Sequence, residues 1–122
     1  MSTVKTYREL KFWERTHRLV VRIHEVTRSF PKEELVNLTS MIRRTATMIG
    51  SLLVEGSNAT VERESASPLQ QSISATSQLE YQILLAHDLG YLDETTFDEI
   101  TVEIYEVRRQ MMTHLVRVRS LR

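Results

Sequence analysis

Hydrophobic residues recur along this chain at steps of three and four in four separate stretches, and each stretch ends at a chemically recognisable break. In the first, Phe12, Thr16, Leu19, Ile23, Val26 and Phe30 keep one face of a helix apolar. The spacing predicts a helix over 9–29, closed at Phe30-Pro31 because the residue before proline is pushed out of helical geometry. The second seam, Leu38, Ile42, Thr45, Ile49 and Leu52, steps four, three, four, three. It predicts a helix beginning at 35 or 39 and running to 55. Met41, Met48 and Leu53 are expected to widen its apolar face, and Gly56 to supply a left-handed residue at its end.

A polar stretch over 57–66 is expected to be a mobile connection or a frayed first turn. Ser67-Pro68-Leu69-Gln70 then reads as a helix start, with Ser67 as N-cap and Gln70 completing a capping box. A start near Thr60 would instead require a kink at Pro68. The third helix is expected over 67–89, with Leu69, Ile73, Thr76, Leu79 and Ile83 inward and Gly90 closing it. Asp93 is a good N-cap for a fourth helix over 93–120, whose seam is Phe97, Ile100, Ile104, Val107, Met111, Leu115 and Val118. Acids early and arginines late in that helix complement its dipole. Four helices with short links predict an all-α fold, an antiparallel up-and-down four-helix bundle, as one domain over 1–122.

The fourth helix also carries a second apolar stripe, Val102, Tyr105, Met112 and Val116. A monomeric bundle helix needs one inward stripe. Either this helix has a broad core face, or these four residues are buried against another subunit, which makes them candidates for an oligomer interface.

Composition narrows the chemistry. With 122 residues the chain suits a single core, and with no cysteine it has no disulfide, thiolate catalysis or cysteine metal site. No apolar run approaches the roughly 20 residues that span a bilayer, and the first five residues lack a signal-peptide stretch, so a cytoplasmic protein with no membrane partner is expected. The histidines His17, His24, His87 and His114 form no metal-ligand motif, and the three glycines are too scattered for a phosphate loop. No nucleophile frame surrounds the serines. The expectation is a protein without catalytic residues, metal or cofactor.

Net charge is zero but unevenly placed. Residues 1–50 hold ten Lys and Arg against five acids, 51–107 hold one against eleven, and 108–122 hold five Arg and no acid. Lys11, Arg15, Arg18 and Arg22 fall at steps of four, three and four, a basic stripe expected opposite the apolar face of the first helix. Arg43 and Arg44 add a pair on the second helix, and Arg108, Arg109, Arg117 and Arg119 a cluster on the fourth. The stripe is either a solvated face tied by salt bridges within the helix or a nucleic-acid-binding surface of Lys11, Arg15, Arg18, Arg22, Arg43 and Arg44. No aromatic residue interleaves with it, so contact with RNA or DNA is expected to be electrostatic and weakly specific. Arg43 or Arg44 has a third option, a half-buried pair with Glu55 or Glu80.

Several segments taken in order carry a resemblance. They are Tyr7-Arg8-Glu9-Leu10 with Trp13, Phe30-Pro31-Lys32-Glu33-Glu34, Leu38-Thr39-Ser40-Met41-Ile42-Arg43-Arg44, Glu55-Gly56 and Leu89-Gly90-Tyr91-Leu92. The chain resembles the four-helix bundle family of proteins encoded by intervening sequences of bacterial 23S rRNA genes. That family is related to the accessory variability proteins of diversity-generating retroelements. The resemblance implies a ring-like homopentamer with a role involving RNA or the ribosome. Two functions therefore compete: a homo-oligomer that binds nucleic acid through the basic residues, and an oligomeric scaffold that binds another protein.

Overall fold

The computed structural model describes residues 7–121, apart from the side chain of Glu9. It has four helices: α1 (Trp13–Val26), α2 (Leu38–Ser57), α3 (Ala66–Asp88) and α4 (Glu94–Arg119). Short 3-10 turns flank them at Tyr7–Glu9, Thr27–Ser29, Lys32–Glu34 and Glu62–Ser65, and no strand occurs among the described residues. None of these helices is long and apolar enough to cross a membrane.

Cross-helix contacts set the register. His24 meets Thr47 and Arg43 meets Thr27, so α1 and α2 run in opposite directions. Ser72 donates to the Ile49 carbonyl while Pro68 packs beside Gly56, which does the same for α2 and α3. Arg108 meets Glu80 and Arg119 meets Gln70 across α3 and α4. Arg15 reaches Glu103 and Arg22 reaches Glu99, so α4 returns antiparallel to α1. The result is the expected antiparallel up-and-down bundle. The α2–α3 seam is the tightest, because Ala46, Ala75, Ala86, Ser72 and Gly56 let the two backbones approach. The α1–α4 seam is sparse and is bridged by long charged side chains.

The core is built from the predicted seams. Leu19, Ile23, Ile42, Ile49, Leu79, Ile83, Ile100, Ile104, Val107 and Met111 are all essentially inaccessible to solvent. Most of the hydroxyl residues among them sit there at little cost, because they find an acceptor within reach. Thr16 donates to the Phe12 carbonyl, Thr45 to Met41 and Thr76 to Ile73, whereas the buried Thr39 hydroxyl has no partner. Asp93 caps α4 as expected, its carboxylate accepting from the Thr96 amide at 2.7 Å, and these hydrogen bonds hold its carboxyl below the usual range.

Local chemistry departs from the sequence expectation in three places. Gly56 is not a left-handed cap. It lies inside α2, buried beneath Pro68, and Gly90 (φ 83°) is the one residue of positive φ among those described. Nor is Ser67 an N-cap. A 3-10 turn at Glu62–Ser65 leads directly into α3, which starts at Ala66, so Pro68 is its third residue. An amide there has no partner within the helix, so proline is tolerated without a kink. Met41 and Met48 are exposed on the flank of α2 rather than extending its core face.

Candidate nucleic-acid interface

The basic stripe of α1 does not lie opposite its apolar face. At 3.6 residues per turn, Lys11, Arg15, Arg18 and Arg22 centre about 90° round from Phe12, Thr16, Leu19 and Ile23. That rotation aims the longer side chains along the flank toward α4. Arg15 makes a two-pronged contact with Glu103, at 2.7 Å from Nε and 3.1 Å from a terminal nitrogen. Arg22 reaches Glu99 at 2.6 Å, and Arg18 pairs with Glu14 one turn back on its own helix. The hydrogen bond from Arg15 is the main cause holding the Glu103 carboxyl below its ordinary range, and the same bond raises the Arg15 guanidinium. Three of the four stripe residues thus carry a carboxylate counter-charge. Two of those carboxylates come from α4, across the bundle rather than along the helix. Lys11 is exposed and forms no ion pair among the described residues.

The arginines of α2 differ. Arg43 is half-buried and donates to the Thr27 hydroxyl at 2.8 Å, and Arg44 is exposed and donates to the Ser40 hydroxyl at 3.1 Å. Neither pairs with Glu55 or Glu80. Glu80 is engaged by Arg108, and hydroxyls rather than acids lie within reach of Arg43 and Arg44. Arg28, exposed at the end of α1, also forms no ion pair among the described residues. The fourth-helix arginines are spoken for: Arg108 by Glu80, Arg109 by Glu106, Arg117 by Glu62 and Arg119 by the amide oxygen of Gln70.

Arg43 and Arg44, with His24, Thr47, Met48 and Ser51, line an open groove of about 450 Å³ between α1 and α2. Its polar groups are guanidinium, imidazole and hydroxyl, a set that suits an anion and contains no carboxylate. Glu55 is the one acid on α2. The groove holds two of the six sequence candidates, Arg43 and Arg44. Lys11, Arg15, Arg18 and Arg22 lie outside its lining, while His24, which belongs to no motif in the sequence, enters it. His24 is recognisable in the sequence only as the residue four before Arg28 and eleven after Trp13 on an outward face of α1.

Further along that face lies an aromatic ladder. Trp13 and His17 stack with centroids 5.0 Å apart and planes 6° from parallel. Tyr7, brought back by the 3-10 turn at the N-terminal end, packs on Trp13 at 5.0 Å, and the Arg8 guanidinium lies 5.7 Å from the Tyr7 ring centre. Aromatic residues are absent from the α1 stripe, as the sequence indicates, but present on the other flank of the helix, the one turned toward α2.

The family described as 23S rRNA-intervening sequence protein matches residues 8–113. The chain belongs to this family. No curated protein matches it. The segments that carry the resemblance now have places in a family bundle. Tyr7 and Trp13 build the ladder, the stretch from Phe30 to Glu34 forms the α1–α2 connection, and the first turns of α2 deliver Arg43 and Arg44 to the groove. Tyr91 ties the two connections at one end together, its hydroxyl donating to Glu34 at 2.7 Å.

The second stripe of α4 stays outside the core. Val102, Tyr105 and Met112 are more than half exposed and Val116 is 72% exposed. The monomer therefore does not use them as a broad core face. Among the described residues no group of three or more His, Asp or Glu side chains could hold a metal ion.

Proposed function

We propose that this family member is a non-enzymatic, cytoplasmic helical bundle that binds nucleic acid, RNA in the first instance, through the outward cations of α1 and α2. The observation that carries this reading is the division of its arginines. Arg15 and Arg22 are neutralised by Glu103 and Glu99, whereas the exposed Arg28 and Arg44 and the half-buried Arg43 have no carboxylate partner among the described residues. A cation already paired releases little when it meets a phosphate, while an unpaired one gains a full counter-charge and frees a counterion. The acceptor is a phosphate backbone, so recognition is weakly sequence-specific. The bundle acts as a homo-oligomer, pentameric as the family resemblance implies, with α4 as its contact surface.

The test is fluorescence anisotropy with a labelled structured RNA at low salt. Arg28→Ala with Arg44→Ala weakens binding by roughly tenfold or more. Arg15→Ala with Arg22→Ala changes it far less. The reverse order would return the site to the α1 stripe.

The exposed stripe Val102, Tyr105, Met112 and Val116 supports a second reading, an oligomeric scaffold that binds protein alone. Light scattering separates the two. The nucleic-acid reading expects a multiple of the chain mass that rises when RNA is added and falls to one chain in Val102→Glu with Val116→Glu. A multiple indifferent to RNA favours the scaffold.

A further inference from the structure

Four features converge on one side of α1: the Tyr7–Trp13–His17 ladder, the His24–Thr47 contact, the Arg43–Arg44 groove and the exposed Arg28. Their order along the molecule follows from the register. Trp13, His17, Val20 and His24 advance by four, three and four residues, which returns to one helical face, and Arg28 follows them in the 3-10 turn just beyond the helix. That face looks toward α2, because Val20, on the same strip, comes within 3.9 Å of where a side chain on Gly50 would begin. The 3-10 turn bearing Tyr7 also packs against α2. From Trp13 to His24 the strip is about 16 Å long at 1.5 Å per residue, and the turn bearing Arg28 extends beyond it. Aromatic rings occupy one end and unpaired guanidinium groups the other, with hydroxyls of Thr47 and Ser51 between.

We infer that this strip is a track for single-stranded nucleic acid, with an unpaired base stacking on the Trp13–His17 ladder while the following phosphates lie on Arg43, Arg44 and Arg28. This rests on the nucleic-acid reading above and narrows it to the single strand. A duplex keeps its bases stacked on one another and offers such a surface only phosphates. A single strand offers base faces as well, and aromatic rings aligned with a cationic groove engage both at once. His17 is exposed on the outer side of the parallel stack, which leaves a planar ring at the end of the ladder. Stacking tolerates any base, so the track adds affinity without adding sequence preference.

The chain contains one tryptophan, so its emission reports on this ladder alone. The experiment titrates the full chain with an oligoadenylate single strand and, separately, with the duplex of oligoadenylate and oligouridylate. It follows tryptophan emission alongside anisotropy of the labelled strand. The expected result is saturable quenching and tighter binding with the single strand. His17→Ala weakens single-strand binding by roughly fivefold or more, and His17→Phe restores it. Circular dichroism of each variant confirms that the bundle is intact. Equal affinity for both forms with unchanged emission overturns the track. If Arg28→Ala with Arg44→Ala still weakens binding in that case, the phosphate-binding reading stands without it. If neither form binds, both readings fall together.

Discussion

Replacing Gly56 by alanine raises the stability of the bundle, although the residue is buried and stands where a helix end usually needs glycine. Gly56 has helical geometry within α2 and lacks the positive φ found at Gly90. A Cβ added there would sit 3.4 Å from Pro68 Cγ, 3.6 Å from the Ser65 carbonyl oxygen and 3.7 Å from Ser65 Cβ. These are close but ordinary contacts, and the nearest is to a proline ring that can pucker away. A helical glycine costs up to about 1 kcal/mol relative to alanine, less in a last turn. The methyl group also buries a little apolar surface. The net expectation is a gain of about 0.5 kcal/mol, read as a higher midpoint in urea unfolding followed by circular dichroism. Gly90→Ala is the control. Nothing lies within 4 Å of its added Cβ, yet the φ of 83° alone costs about 1 kcal/mol or more. Opposite signs for the two substitutions support the account. A loss at Gly56 as large as that at Gly90 would mean that Gly56 is a left-handed cap and that α2 ends before it.

Other expectations follow from the core and its ion pairs. Leu79→Ala, at a fully buried site facing α2, costs about 2–5 kcal/mol in the same unfolding assay, and a smaller loss would mean the seam collapses around the cavity. His87 sits between Glu94 at 3.0 Å and Asp88 at 3.2 Å and stacks on Phe97. The hydrogen bond to Glu94 is the main cause raising it above its ordinary 6.5. Its contribution is therefore complete below that value and is lost as pH rises through the raised folded one. The stability difference between the wild type and His87→Gln should shrink across that window, and a difference that grew with pH would contradict the assignment. A double-mutant cycle on Arg15 and Glu103, both about a third exposed, should give a coupling of about 0.5–1 kcal/mol that weakens with salt. Zero coupling would mean that the pair does not hold Arg15 away from other anions.

The bundle was legible because the signals that specify it are local. The seams of all four helices, from Phe12 through Val118, are periodic over several turns, and the buried Thr16, Thr45 and Thr76 each use a carbonyl one turn back in the chain. Helix ends were less legible. Gly56 and Ser67 have the residue types of a cap, but the approach of Pro68 to α2 decides their roles, and that contact is tertiary. The site was harder still. Spacing reveals a row of cations on α1 but not which of them a carboxylate neutralises. Glu103 lies 88 residues from Arg15, and Glu99 lies 77 from Arg22. The aromatic ladder escapes the same reading, because Tyr7 reaches Trp13 through a 3-10 turn outside the helix.

The most direct test of the account is the salt dependence of single-strand RNA binding, compared between the wild type and Arg28→Ala with Arg44→Ala. Each phosphate contact on a single strand contributes about 0.7 to the slope of log affinity against log salt. Removing two such contacts should flatten the slope by about 1.4, while Arg15→Ala with Arg22→Ala leaves it nearly unchanged. An unaltered slope in the first pair would show that the outward cations of α1 and α2 touch no phosphate, and would contradict the account at its centre.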